Sequence, residues 1–242
     1  MEFIICKNYE EISAKGAEII AGQIKVKPDS VLGLATGNSP IGIYDRLCMM
    51  YSAGALDFSK VKSFNLDEYL PIEPTDPNSY AAFMHEHLWD KVNMAPENCH
   101  IPAGNIALAD AEEMCRKYDQ SITEAGGIDL QLLGIGRNGH IGFNEPADKL
   151  FDGTHVTGLT ESTIEANSVL FPSPDMMPHH AVTMGMGVIR NSKKILLVAN
   201  GKNKHEAIQG LLNGYITTDL PASLLKLHPD VTVICDEEAY YG

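Results

Sequence analysis

Apolar residues along the chain fall into two alternating patterns. Short unbroken runs occur at "FIIC" (3–6), "VLGLA" (31–35), "VKSFNL" (61–66), "IDLQLLGIG" (128–136), "KKILLVANG" (193–201) and "DVTVIC" (230–235). Their length and aliphatic content predict strands buried on both faces. Helical spacing fills the intervals. In "YEEISAKGAEIIAGQI" (9–24), Ile12, Ile19, Ile20 and Ile24 share one face. "IGIYDRLCMMY" (41–51) follows the second strand. "NSYAAFMHEHLWDKV" (78–92) carries Asn78 or Ser79 as N-cap, and "DAEEMCRKYDQSITEAGG" (110–127) is closed by glycine. "KNKHEAIQGLLNG" (202–214) precedes the last strand. Strands separated by helices pair in parallel and are covered on both faces. The fold class predicted is therefore α/β: a doubly wound, mostly parallel sheet in a Rossmann-like three-layer sandwich. No repeat, linker or low-complexity segment divides residues 1–242, which read as a single domain. Residues 146–190, rich in Pro, Met, Ser and Thr, are set apart as a candidate lid subregion.

Ligands of open parallel sheets bind beyond the carboxyl ends of the strands. Four predicted strands end there in polar, turn-forming segments: "TGNSP" (36–40), "NLDEY" (65–69), "GRNGHIGFNEP" (136–146) and "NGKNK" (200–204). In the first, Thr36, Gly37, Asn38 and Ser39 lead into a helix with Pro40 in its first turn. Free amides and the positive helix end favour a phosphate there, although an ordinary strand-to-helix turn has the same composition. No Walker A loop is present. In the second, Asp67 and Glu68 offer a carboxylate as general base, or alternatively a solvated or helix-capping acid. In the fourth, Lys202 and Lys204 open a helix, where cations are unfavourable unless an anion joins them. Surface lysines are the plain alternative.

The third segment extends to "GIGRNGHIGFNEP" (134–146), with four glycines around one histidine. "GIGRNG" matches the dinucleotide fingerprint in letters only. Gly142 and Pro146 interrupt the helix that the fingerprint requires, and no acid ends a following strand at the right distance. The other reading is that glycine lets the backbone approach a ligand while His140 and Glu145 converge on it. A carboxylate partner fixes the tautomer of an imidazole, which suits moving a proton between the ring oxygen and anomeric hydroxyl of a sugar. A structural histidine in a turn fits the same residues. No metal site is evident, because His85 and His87 face different ways on a helix and His179-His180 lacks further ligands.

Charge narrows the partners. A formal charge of −14 argues against nucleic acid or an anionic membrane and leaves room for a small anion at a local cationic site. The cysteines, Cys6, Cys48, Cys99, Cys115 and Cys235, form no Cys-x-x-Cys and read as reduced thiols. No signal peptide or membrane-length apolar run is apparent, so a cytoplasmic location is expected.

In order along the chain, "LGLATGNSP", "FNLDEY", "DPNSY", "LLGIGRNGHIGFNEP", "AVTMG", "GKNK" and "LPASLLKLHPDVTVICDEEA" resemble the glucosamine-6-phosphate deaminase family. The wider superfamily includes 6-phosphogluconolactonases. The resemblance implies conversion of glucosamine 6-phosphate and water to fructose 6-phosphate and ammonia without metal or other cofactor. It implies that Asp67 moves the proton between C2 and C1, and that His140 opens the ring with Glu145 as partner. It also implies that Thr36, Gly37, Asn38, Ser39, Gly136 and Lys204 bind substrate. Three departures stand out. Asn138 replaces an Asp of many members, so His140 should lean more on Glu145. Val169, in "NSVLF", replaces an arginine that reaches the phosphate. Basic residues of the activator site are not evident around 150–160, and the chain stops soon after "CDEEAYYG", so no allosteric activation is expected and the chain is a monomer or a homo-oligomer. Galactosamine-6-phosphate deaminase/isomerase, a lactonase and a non-catalytic sugar-phosphate sensor remain as alternatives.

Overall fold

The computed structural model describes residues 1–160, 164, 171, 173 and 176–242. Seven strands form a wholly parallel sheet in the order β1-β10-β9-β6-β2-β3-β5. They are β1 (Glu2–Cys6), β2 (Val31–Leu34), β3 (Lys62–Asn65), β5 (Cys99–His100), β6 (Leu130–Leu133), β9 (Ile195–Ala199) and β10 (Val231–Asp236). Successive residues of the central strands serve opposite cores. Leu32, Leu34, Leu130, Leu132, Leu196 and Val198 pack under α1 (Tyr9–Val26) and α2 (Asn38–Ser52). Val31, Leu133, Ile195, Leu197 and Val233 pack against α4 (Ala111–Glu124) and α6 (His205–Leu212) on the other face. Two buried faces are why these strands read as unbroken apolar runs.

Helix α1 is capped by the Asn8 side chain accepting from the Glu11 N–H, and it buries Ile12, Ile20 and Ile24, with Ile19 at the flank of that stripe. Ser79 caps α3 (Tyr80–His87), which stops short of the predicted 78–92 and continues as a 3₁₀ turn over Trp89–Lys91. In the 202–214 segment a 3₁₀ turn at Lys202–Lys204 precedes α6. The short helices α5 (Met186–Arg190) and α7 (Glu237–Tyr241) complete the order.

A second sheet was not legible in the pattern. Strands β4 (Asp67–Leu70), β8 (His180–Thr183) and β7 (His155–Gly158) pair antiparallel in the order β4-β8-β7. "DEYL" is thus a strand rather than the loop ending β3. Leu66 joins the sheets: its N–H donates to the Leu34 carbonyl, and its own carbonyl accepts from the Met184 N–H. The described part of 146–190 supplies β7, β8 and α5. Val169 lies outside the described residues.

The chain leaves β2 toward β3 on one side and β6 toward β9 on the other, so the winding reverses between β2 and β6. That is where open α/β sheets form a ligand crevice. At the opposite end of the sheet, buried Asp129 accepts from Lys27 Nζ (2.6 Å), Lys193 Nζ (2.7 Å) and the Val31 N–H (2.8 Å). Burial opposes its charge, but Lys193, Lys27 and the amide outweigh burial and hold the carboxyl below its ordinary range. The resulting stability is present above the unfolded-chain pKa and is lost as pH falls through the folded one. Asp129→Ala leaves the Val31 amide unpaired. It is expected to cost about 1–3 kcal/mol by urea unfolding at neutral pH, with the deficit shrinking on acidification.

Among the described residues no helix is long and apolar enough to cross a membrane, and the five cysteines are free.

Candidate active site

Helix α2 starts where β2 ends. Its N-cap is Gly37, with φ +94°, and no side chain caps its first-turn amides. The turn is braced from outside. Tyr9 Oη donates to the Asn38 carbonyl (2.8 Å) and accepts from the Gly42 N–H (2.9 Å). Ser39 Oγ donates to Asn200 Oδ1 (3.1 Å), tying this helix start to the end of β9. Thr36, Gly37, Asn38 and Ser39 therefore frame an open helix terminus, a favourable seat for an anion.

Lys204 reaches the same rim from the turn after β9. Its Nζ donates to the Ile135 carbonyl at 2.6 Å. Both Asp236 oxygens accept from the Gly201 N–H (3.0 and 2.8 Å), and Oδ1 also takes the Ala239 N–H (2.8 Å), which fixes the turn that carries the lysine. Burial, then the nearby Arg137, lower the Lys204 pKa.

The segment after β6 folds back on itself. The Gly136 N–H donates to the His140 carbonyl (2.9 Å), and the Gly139 N–H donates to the Gly136 carbonyl (3.0 Å). No helix opens at Gly139. The imidazole of His140 lies directly over Gly136, where a Cβ would come within 2.3–2.4 Å of three ring atoms. His140 Nδ1 is 3.1 Å from Glu145 Oε1, within ion-pair range but out of line for a hydrogen bond. The Asn138 amide is committed at both ends. Its Oδ1 accepts from the His140 N–H (3.2 Å) and its Nδ2 donates to Glu145 Oε2 (2.7 Å). Asn138, His140 and Glu145 thus form one cluster.

Asp67 opens β4, opposite Thr183. Its side chain is buried and receives no hydrogen bond among the described residues. The neighbour across the gap is Gly142, in the left-handed region at φ +58°, where an added Cβ would be 3.3 Å from Asp67 Oδ2. One loop therefore touches Asp67 at Gly142, carries His140, and meets Lys204 at Ile135. Burial, and then the charge of Glu68, push the Asp67 carboxyl up to about 8. Glu68 points to the other face of β4 and accepts from the N–H groups of Tyr69 (2.8 Å), Tyr80 (2.9 Å) and Ala81 (2.9 Å). Burial pushes it up to about 7 against those three donors. Of the two acids, Glu68 caps α3 and Asp67 faces the rim.

The rim so built holds a desolvated carboxyl, an imidazole with a carboxylate beside it, an ammonium and an open helix end. That set can move protons on a ligand anchored by an anionic group. A cavity of about 360 Å³ beside Pro71 and Phe171, past the other end of β4, shares no residue with these loops. Among the described residues no group of three or more His, Cys, Asp or Glu is placed to hold a metal ion.

Five participants escaped the sequence reading. Thr183 Oγ1 accepts from the Phe143 N–H (3.1 Å), and Asn144 Nδ2 donates to the carbonyls of Ile141 (2.9 Å) and Met184 (2.8 Å). Tyr9, Asp236 and Arg137 are the others. Asn144 and Arg137 lay within the conspicuous segment 134–146; Thr183, Tyr9 and Asp236 act through contacts distant in sequence.

The family model for glucosamine-6-phosphate isomerases/6-phosphogluconolactonase matches residues 8–234. The chain belongs to this family. It is 54% identical over 239 residues to a glucosamine-6-phosphate deaminase of Thermoanaerobacter pseudethanolicus, covering 99% of this chain and 94% of that one. It is 50% identical over 239 residues to the deaminase of Halothermothrix orenii, covering 99% and 98%. A solved structure of a monomeric glucosamine-6-phosphate deaminase superposes with a TM-score of 0.94 at 47% identity, covering 99% and 98% of the two chains. A 6-phosphogluconolactonase from Thermotoga maritima superposes with a TM-score of 0.71 at 20% identity, covering 97% and 98%, and shares the fold. Members of this glucosamine-6-phosphate isomerase and lactonase family therefore share the frame on which the rim above is built.

Proposed function

We propose that the protein converts glucosamine 6-phosphate and water to fructose 6-phosphate and ammonia. His140, oriented by Glu145 and Asn138, moves a proton between the ring oxygen and the anomeric hydroxyl and so opens the sugar. The C1 aldehyde acidifies the C2 hydrogen, and Asp67 removes it to leave an enolamine. Return of a proton to C1 gives an imine at C2, which water hydrolyses to ketose and ammonia. The phosphate sits on the amino end of α2 with Lys204, alongside Thr36, Gly37, Asn38 and Ser39, and Gly136 lets the sugar and the imidazole meet at close range.

The observation that carries this reading is the state of Asp67: buried, without a hydrogen-bond donor among the described residues, and next to a second acid. A base in that position favours a substrate bringing its own cation. The protonated amine at C2 does so, and a phosphorylated lactone, which carries no cation, does not. The names of the relatives at about half identity agree. Every group invoked comes from one chain, so no partner subunit is required.

The test offers the protein glucosamine 6-phosphate, galactosamine 6-phosphate and 6-phosphogluconolactone, and follows ammonia and ketose phosphate. Ammonia with fructose 6-phosphate supports the reading. Preference for the galacto epimer, lactone hydrolysis alone, or binding without turnover would each replace it. Lys204→Ala is expected to raise KM for the phosphorylated sugar roughly 10- to 100-fold with a smaller change in kcat, the size of one lost charge-assisted hydrogen bond. Unchanged KM would put the phosphate elsewhere.

A further inference from the structure

Arg137 stands in the turn between Gly136 and His140 with its side chain exposed. Among the described residues it makes no ion pair, hydrogen bond or ring contact. Lys204 has no carboxylate partner there either, and its ammonium rests on the Ile135 carbonyl, two residues before Arg137. The guanidinium is near enough to disfavour the charge on that lysine. The chain has 32 acidic and 18 basic side chains, so carboxylates were available to neutralise this pair. The two carboxylates that brace these turns are committed elsewhere: Glu145 to His140 and Asn138, Asp236 to the amides of Gly201 and Ala239. The Ser39–Asn200 hydrogen bond ties the uncapped start of α2 to the turn that carries Lys204. Among the described residues, two mutually repelling cations share this rim with an open helix end, and no carboxylate pairs with either cation.

We propose that Arg137 is a second cationic ligand of the substrate's phosphate, closing on the dianion together with Lys204 and the amino end of α2. The proposal rests on the sugar-phosphate reading above and assigns the specificity for a doubly charged phosphate ester to this pair. A guanidinium adds two parallel donors that a lysine lacks, so it fixes the orientation of the phosphate as well as attracting it. A bound dianion removes the repulsion between the two cations.

The experiment measures binding of inorganic phosphate by calorimetry and steady-state kinetics with glucosamine 6-phosphate, for the wild type, Arg137→Gln and Arg137→Lys. In Arg137→Gln the phosphate Kd and the substrate KM are expected to rise roughly 10- to 100-fold, with kcat falling far less than kcat/KM. Arg137→Lys should recover part of the loss. Phosphate affinity equal to wild type in Arg137→Gln overturns the proposal. So does a loss of kcat at unchanged affinity, which would make Arg137 a support for the His140 turn. A wild type that binds phosphate but does not turn over the amino sugar removes the activity reading and leaves the Arg137 comparison standing. Thermal melts of both variants matching wild type confirm that the exposed side chain was replaced without unfolding.

Discussion

Asp67→Asn is expected to bind glucosamine 6-phosphate within about tenfold of wild-type affinity, losing only the charge pairing with the amine, while turnover falls by about 10²- to 10⁴-fold. The amide fills the same space and cannot accept the C2 proton. Calorimetry of the inactive variant with substrate, beside its kcat, separates the two effects. Equal loss of both would make Asp67 a binding group. The same substitution has a consequence for stability. The folded protein holds the Asp67 proton up to about pH 8, whereas an unfolded chain releases it near the ordinary carboxylate value. Across that window the folded state binds more protons, so stability declines as pH rises. Asp67→Asn should therefore melt at a higher temperature than wild type at pH 8–9, and the gap should close toward pH 4. Wild-type activity should run the other way, with kcat/KM rising toward pH 8 as the free carboxylate forms. The amine of bound substrate favours the charged base, so the limb in kcat should lie at lower pH.

Gly136→Ala is the second large effect. Gly136 does not adopt a positive φ, so an alanine fits the backbone. Its methyl group would stand within 2.3–2.4 Å of the His140 ring, and the imidazole must leave Gly136 and its place beside Glu145. We expect kcat to drop by about 10²-fold or more, as for His140→Gln, while inorganic phosphate still binds at the α2 end. Kinetics of the two variants side by side, with phosphate titrations and melting curves, check this. Full activity in Gly136→Ala would mean that His140 works from a different position.

The parallel sheet was legible because strands buried on both faces must be apolar throughout, as in "VLGLA" and "KKILLVANG". Three of the rim loops followed from strand ends alone, whereas "NLDEY" is a strand from Asp67 onward. The second sheet was hidden for three reasons. Its strands are four residues long, only Leu66 separates β4 from β3, and half-exposed β7 carries no apolar alternation. The pairing of β4 with β8 is set by contacts between residues more than a hundred positions apart. Apart from the family resemblance, nothing told the adjacent acids Asp67 and Glu68 apart until the strand put them on opposite faces, one at the rim and one against the amino end of α3. Arg137 drew no assignment from the sequence, since nothing local ties it to Lys204.

The central claim is that an acid at the start of β4 carries a proton from C2 to C1 of an amino sugar opened by His140. Turnover of glucosamine 6-phosphate in deuterium oxide, followed by NMR of recovered substrate and product, tests it most directly. One ammonia per fructose 6-phosphate is expected, with a C1 methylene whose new hydrogen enters one face only and with loss of both products in Asp67→Asn. Ammonia released at an undiminished rate by Asp67→Asn, or a C1 labelled equally on both faces, would contradict it.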